Sequence, residues 1–136
     1  MDSTGNKPEI DVIQPPQVSP PVGPYSHGLL VQGGRLLFLS GQGPIDRDGQ
    51  LVGPGDIAAQ ARQVFANLQA LVEAAGGTLA SIVELNIYVR DIAGRAAISD
   101  LRRALFCPPY PATTMVEISR LAIEEWLVEI SAVAVV

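Results

Sequence analysis

The stretch from Ile82 to Arg90 constrains the fold most, because apolar and polar side chains alternate there with the period of a β-strand. One predicted face is wholly apolar and consists of Val83, Leu85, Ile87 and Val89. The other face is polar but bulky and consists of Glu84, Asn86, Tyr88 and Arg90. We expect helices to cover the apolar face, and water or another subunit to meet the polar one.

Two amphipathic helices flank this strand in the sequence. Asp56 caps the first helix, which ends at Gly76-Gly77. Its predicted core face consists of Ile57, Ala61, Val64, Leu68, Leu71, Val72 and Ala75. Its predicted polar face consists of Gln60, Arg62, Gln63, Asn67 and Gln69. The second helix runs from about Arg95 to Phe106, and its predicted buried stripe consists of Ile98, Leu101 and Leu105.

Four further strands complete the pattern. Two short apolar runs, Leu29–Val31 and Arg35–Leu39, are separated by Gly33-Gly34, which favours a hairpin turn. Two more strands lie near the end of the chain, one from Pro111 to Ile118 and one from about Leu127 to Val135. The predicted order is β-β-α-β-α-β-β. Two helices can cover only one face of the sheet, so the fold class is α+β, with a mixed sheet.

Residues 1–22 are predicted to be a flexible, Pro-rich tail, because prolines interrupt any regular period there. Within it, only Asp11-Val12-Ile13 could add a short edge strand. Residues 23–136 are predicted to be a single domain, and this length is enough to bury a core.

Composition and charge exclude several classes of function. The net charge is −5, which argues against nucleic acid or an anionic membrane as a partner. Arg95, Arg102 and Arg103 are the one candidate basic patch, and we interpret them as a solvated helix face. No apolar run is long enough to span a membrane, and the start of the chain does not resemble a secretory signal, so a cytoplasmic protein is expected.

The chain has one cysteine and one histidine, which excludes a Cys/His zinc site within one chain, and no metal is predicted. Cys107 is interpreted as structural, and His27 as a surface or hydrogen-bonding residue. Glu129 is more unusual, because it lies inside an otherwise apolar strand. A buried carboxylate needs water, a partner or a ligand. The alternative is that Glu129 belongs to an edge strand and faces solvent.

The same two final strands carry a family signature. The matching residues are Pro111, Ala112, Val116, Ser119, Leu121 and the triplet Val128-Glu129-Ile130. They resemble the signature of the Rid family of small trimeric proteins, also called YjgF/YER057c/UK114. Pro24-Tyr25-Ser26 and Ser40-Gly41-Gln42 resemble segments that line the ligand cleft of that family. The resemblance implies a chorismate-mutase-like (YjgF-like) fold, a homotrimer, small-molecule clefts between subunits, and no cofactor.

Rid proteins hydrolyse enamines and imines derived from amino acids, releasing ammonia and a 2-oxo acid. The resemblance implies that Glu129 is the catalytic residue, which orients water and handles a proton. The implied substrate-binding residues are Tyr25, Ser40, Gly41, Ser99, Thr113 and Met115. Thr113 departs from the family pattern, which has an Arg that holds the substrate carboxylate through a charge-assisted contact. Ser99 and Met115 also replace common family residues, Asn and Cys respectively.

Three functions are therefore open. The first is a deaminase-type hydrolase acting on an imine, an enamine or a related C–N substrate, which is not the usual 2-imino acid because Thr113 carries no charge. The second is a trimer that binds small ligands without catalysis. The third is an endoribonuclease or translation inhibitor, against which the acidic composition and the single His argue. Arg120 matches an Arg of Rid proteins generally, so it is not a substitute for the missing cation.

Overall fold

The computed structural model describes residues 7–136, in which two α-helices accompany a four-stranded and a two-stranded sheet. The strands are β1 (Glu9–Ile13), β2 (Gly28–Gln32), β3 (Leu36–Gln42), β4 (Ile82–Val89), β5 (Ala112–Glu117) and β6 (Val128–Val135). The helices are α1 (Ile57–Ala74) and α2 (Arg95–Leu105). Both helices pack on the larger sheet, which confirms the predicted α+β class.

The four-stranded sheet is mixed, as predicted, with the strand order β3-β6-β4-β5. β6 runs antiparallel to β3 and to β4, whereas β4 and β5 are parallel. Parallel neighbours need a crossover connection, and α2 supplies it. The predicted hairpin at Gly33-Gly34 is wrong in its pairing, because β2 pairs with β1 and β3 pairs with β6. Both glycines do have positive φ angles, 78° and 75°, as a tight turn requires.

Part of the predicted tail is a strand. Asp11-Val12-Ile13 belong to β1, which pairs with β2 along its whole length, from Glu9 opposite Gln32 to Ile13 opposite Gly28. The observed order therefore begins with one more strand than predicted. The first residues of the tail, 1–6, lie outside the described residues.

The core lies between the helices and one face of the larger sheet. β4 contributes Ile82, Leu85, Ile87 and Val89 to it. Val83 was predicted to lie on this face, but the strand register shifts between Ile82 and Glu84, so Val83 is only half-buried. Such a bulge adds one residue to a strand, so the alternation of side chains between the two faces shifts at that point.

The opposite face of the larger sheet, here called the open face, carries no helix of residues 7–136. Large apolar side chains are exposed on it, including Phe38 at 72%, Leu36 at 65% and Val116 at 39%. Glu84, Asn86 and Tyr88 also point to this side, as the alternation of β4 predicts.

The helices bury polar side chains that the sequence pattern assigned to solvent. Gln60 on α1 and Arg102 on α2 are both buried, at 0% and 4% exposure. Conversely, Leu71 and Leu105 are exposed, although both were predicted to be core residues. The predicted cap is confirmed, since Asp56 Oδ1 accepts a hydrogen bond from the Ala59 N–H at 3.1 Å.

Within residues 7–136, neither helix combines the length and the apolar character that crossing a membrane requires.

Candidate functional site

An open cavity of about 570 Å³, here called the α2 cavity, lies between α2, β5 and the segment before β2. Four of the predicted binding residues line it: Tyr25, Ser99, Thr113 and Met115. They come from three separate parts of the chain, so only the tertiary fold brings them together. The other three predicted site residues, Ser40, Gly41 and Glu129, do not line this cavity.

β5 presents Thr113 and Met115 to the helix side of the sheet. The two residues lie opposite Leu85 and Ile87 of β4, whose side chains are in the core. The Thr113 hydroxyl donates a hydrogen bond to the Pro111 carbonyl at 2.9 Å. A hydroxyl has only one proton to donate. Toward a ligand, Thr113 can therefore act as an acceptor while this bond is kept.

Tyr25 is held at the cavity by its own neighbourhood. Its hydroxyl oxygen accepts a hydrogen bond from the Val22 N–H at 3.3 Å. Its ring meets that of His27 edge-on, with 5.5 Å between the ring centres. His27 is exposed, and its Nε2 lies 2.7 Å from the Ser19 carbonyl oxygen. His27 is thus a hydrogen-bonding surface residue, as its sequence context predicts.

Three arginines of α2 also line the cavity, and the sequence analysis did not place them in the site. Arg95, Ser99 and Arg103 follow one another at intervals of four residues, so they share a helix face. The interpretation as a solvated helix face holds for Arg95 and Arg103, which are exposed. It is wrong for Arg102, whose side chain is packed beneath that surface.

Arg102 is the buried cation of the site. Its Nη2 donates a hydrogen bond to the Pro24 carbonyl at 2.6 Å, which ties α2 to the segment that carries Tyr25. The pKa of Arg102 is lowered to about 10, mainly by burial and also by the charge of Arg103, while Tyr110 acts in the opposite direction. The guanidinium still carries its charge at neutral pH. A helical pattern alone could not reveal this, because charged residues are seldom fully buried.

Glu129 lies on the open face, opposite Tyr88 of β4. Glu129 is a half-buried residue whose carboxylate reaches open space, and no hydrogen bond or ion pair joins that carboxylate to another group of residues 7–136. Gly41 stands directly beside it, since a Cβ at position 41 would lie 2.8 Å from Glu129 Cδ. Ser40 is exposed next to Gly41, and its carbonyl accepts a hydrogen bond from the Gln42 amide at 3.2 Å.

The predicted site residues thus fall into two groups on opposite faces of the sheet. Thr113 and Met115 face the helices, whereas Glu129 faces away from them. Within one chain, the two groups of residues therefore do not form a single site. The cleft between subunits that the Rid resemblance implies stays a prediction.

Two other candidate features lie apart from both groups. Arg120 lines a separate cavity of about 370 Å³ with Arg90 and Glu124, so it does not replace the missing cation beside Thr113. Cys107 is exposed, which argues against the structural role expected for it. Across the described part of the chain, no group of three or more His, Cys, Asp or Glu residues could hold a metal ion.

The family model described as Endoribonuclease L-PSP matches residues 16–136. A RutC family protein from Pyrococcus horikoshii is 39% identical over 115 residues, which cover 84% of this chain and 88% of the relative. A 2-iminobutanoate/2-iminopropanoate deaminase from Dermatophagoides farinae is 36% identical over 126 residues, covering 92% of this chain and 95% of the relative.

Among solved structures, a protein of the conserved Rid family from Yersinia pestis is similar to this chain with a TM-score of 0.87. The two share 35% sequence identity, and the match covers 93% of this chain and 98% of the Yersinia chain. The likeness therefore extends over both sheets and both helices.

Proposed function

The chain belongs to the Rid (YjgF/YER057c/UK114) family, and from this premise we propose that it hydrolyses the C–N bond of a small imine or enamine. Relatives named 2-iminobutanoate/2-iminopropanoate deaminase support this class of reaction. The substrate that we propose differs from theirs, because Thr113 stands where the family has an Arg.

The observation that carries the proposal is the unpartnered carboxylate of Glu129. A half-buried carboxylate without a protein donor is free to accept a proton or to bind a water molecule. The absence of a side chain at Gly41 leaves room for the Glu129 carboxylate itself. Both features suit a general acid/base.

The proposed reaction needs only water and one group that transfers protons. Glu129 takes a proton from water as the oxygen attacks the imine carbon, and it passes that proton to the imine nitrogen, which gives a neutral carbinolamine. Glu129 then carries the hydroxyl proton of the carbinolamine to the nitrogen, the C–N bond breaks, and ammonia and a carbonyl product leave. An enamine first gains a proton on carbon and then follows the same course.

We propose that three copies of the chain assemble, so that the α2 cavity of one copy meets Glu129 of another. The exposed Phe38 and Leu36 give the open face an apolar surface that a second copy would cover. Glu129 lies on that same face, so it would be at the interface. In such an assembly, the two separated groups of site residues would meet in one cleft shared by two copies.

The substrate is proposed not to be a usual 2-imino acid. Thr113 has no charge, and its one hydroxyl proton is already donated to Pro111. It can accept a hydrogen bond from an imine or amine N–H but cannot hold a carboxylate as an Arg does. We propose an imine or enamine that lacks the α-carboxylate or carries its anionic group elsewhere.

The test is release of ammonia and of the carbonyl product from a panel of imines generated in solution. The panel contains 2-iminopropanoate, imines with a more distant carboxylate, and neutral imines. Glu129→Gln should lower kcat by about 10²–10⁴-fold, the usual contribution of a general acid/base. Glu84→Gln, on the same open face, is the matched control and should change kcat little. A wild-type protein with no activity on any member would favour the non-catalytic binding protein.

A further inference from the structure

We propose that Arg102 holds the anionic group of the ligand in the α2 cavity, so that the cation of the site comes from α2 instead of β5. The inference deepens the proposed function, because it names the substrate class as a small carboxylate whose anionic group contacts α2.

The first argument is the incomplete partnering of Arg102. Its guanidinium is buried, yet no carboxylate of residues 7–136 forms an ion pair with it. A charge buried without a counter-ion is unfavourable unless something compensates it. Within residues 7–136, its one hydrogen-bond acceptor is the neutral carbonyl of Pro24. An anionic ligand would supply the missing compensation.

The second argument is that Arg102 retains free donors on the cavity side. Its Nη2 bonds to Pro24, and no hydrogen bond to the described residues uses Nε or Nη1. In the described part of the chain, every side-chain nitrogen or oxygen that is closed off from open space has a hydrogen-bond partner. Nε and Nη1 of Arg102 have no such partner, so they reach open space. Arg102 is among the residues that line the α2 cavity, so we take this open space to be the cavity. Of its five N–H groups, the bond to Pro24 uses one proton of Nη2, so one edge of the guanidinium, Nη2 with either Nε or Nη1, still has two parallel N–H groups for a carboxylate.

The charges around Arg102 favour an anion as well. Arg95, Arg102 and Arg103 line the cavity against a single carboxylate, that of Asp100. Asp100 lies at the surface, 3.4 Å from Arg103, and its side chain is 79% exposed. Exposed pairs of this kind interact weakly, so Asp100 leaves the deeper charge of Arg102 uncompensated.

The remaining cavity wall fits the other end of such a ligand. Thr113 offers an acceptor and no free donor, which suits an imine or amine N–H. Arg102 offers donors and no acceptor, which suits a carboxylate. The two residues thus divide the recognition of a molecule that carries both groups.

The experiment measures binding, so that it is independent of turnover. The probes are 2-oxobutanoate and 4-oxopentanoate, whose carboxylates lie at different distances from the carbonyl carbon, each compared with its primary amide. Wild-type protein should bind at least one carboxylate about tenfold or more tightly than the matching amide by calorimetry. Of the two carboxylates, we expect 4-oxopentanoate to bind more tightly than 2-oxobutanoate.

Three variants separate the charge of Arg102 from its structural bond. Arg102→Gln keeps an N–H donor for Pro24 but removes the charge, and it should lose the preference for carboxylate over amide. Arg102→Lys keeps the charge and should retain part of the preference for carboxylate over amide. Arg62→Gln, an exposed arginine of α1 outside the cavity, should bind like wild type. An unchanged preference in Arg102→Gln, or no preference in the wild type, would overturn the inference.

Glu129→Gln distinguishes this inference from the proposed function. It should still bind the carboxylate probes, because Arg102 is intact, while it loses turnover of imines. Carboxylate binding that depends on Arg102, in a protein that hydrolyses no imine, would retain the inference and reject the proposed function. Imine hydrolysis that is unchanged in Arg102→Gln would retain the proposed function and reject the inference.

Discussion

Gly41 on β3 and Glu129 on β6 stand so close together that any side chain at position 41 would collide with the carboxylate. The strand register shifts between Leu39 and Gln42, so Gly41 lies within an irregularity of the β3–β6 ladder. Such irregularities commonly re-aim side chains next to active sites. The observed position of the carboxylate therefore depends on the absence of a side chain at Gly41.

Gly41→Ala should displace the Glu129 carboxylate and lower imine turnover by about tenfold or more, since general acid/base catalysis depends on position. The fold should survive, because Gly41 is exposed and its φ is not in the left-handed region. Steady-state kinetics and thermal melting would measure the two effects.

Gly28→Ala is the matched control, because a Cβ at Gly28 would meet Ile13 at an ordinary 3.5 Å. It should leave both activity and melting temperature nearly unchanged. Equal activity in Gly41→Ala and wild type would mean that Glu129 can move without consequence, which contradicts an acid/base role.

Phe38→Glu should dissociate the proposed trimer without unfolding the chain. Phe38 is 72% exposed on the open face, so the substitution removes little from the core of one chain. At an interface between copies it would place like charges together and leave them without water. Light scattering and circular dichroism should show a folded monomer, and imine turnover should be lost with the shared cleft.

Leu71→Glu provides the control for that experiment, because Leu71 is 40% exposed on α1, on the other side of the sheet. It should remain a trimer. A wild-type protein that is monomeric at micromolar concentration would contradict the proposed trimer and, with it, the cleft between subunits.

Strand alternation and helix spacing were enough to predict the element types and the fold class. β4 illustrates both the success and its limit. Leu85, Ile87 and Val89 are buried as the alternation predicts, but the bulge removes Val83 from that face. A bulge depends on how β4 pairs with β6, and that pairing is not encoded in the local pattern of apolar residues.

The candidate site could be predicted only where the family signature names its residues. Thr113, Met115, Ser99 and Tyr25 do share one cavity. Arg102 was missed because helical periodicity assigns charged residues to solvent, whereas burial depends on what packs above the helix. Pro24, which covers and binds Arg102, lies 78 residues earlier in the chain. No window of local sequence contains both residues.

Gln60 is the second buried polar residue that periodicity misassigned, and it holds together the loops that lead to the site. Its amide donates to the carbonyls of Gly53 and Glu125, at 3.2 and 3.1 Å. Its Oε1 accepts from the Leu127 N–H at 2.7 Å, just before β6 begins. Both hydrogen bonds that its amide nitrogen donates and the one that its oxygen accepts thus go to backbone groups.

Gln60→Leu should lower the free energy of unfolding by about 1–3 kcal/mol, because it leaves three backbone groups without their partner, although Glu125 is exposed and Gly53 and Leu127 are only half-buried. Chemical denaturation would measure this loss. Gln69→Leu, at an exposed position of the same helix, should change it by about 0.5 kcal/mol or less. Equal stability of the two variants would show that water replaces the Gln60 amide.

Thr113 is the position at which the cavity should be convertible to the usual 2-imino acid substrate. Wild type should turn over 2-iminopropanoate slowly or not at all, because Thr113 provides no cation on β5 for an α-carboxylate. Thr113→Arg restores the family residue on a strand that already faces the cavity, so we expect a gain of about tenfold or more in kcat/KM. Ammonia and 2-oxo acid release would measure it.

Two variants test whether the gain comes from a two-pronged cation. Thr113→Gln adds length without charge and should show no gain, whereas Thr113→Lys adds a point charge and should show a smaller one. Thr113→Arg/Glu129→Gln should be inactive, because the acid/base group is still required. Robust wild-type turnover of 2-iminopropanoate would mean that Thr113 does not select the substrate. A stable Thr113→Arg variant with no gain would mean that the α2 side of the cavity, with Arg102 at its centre, dictates where the anionic group must lie.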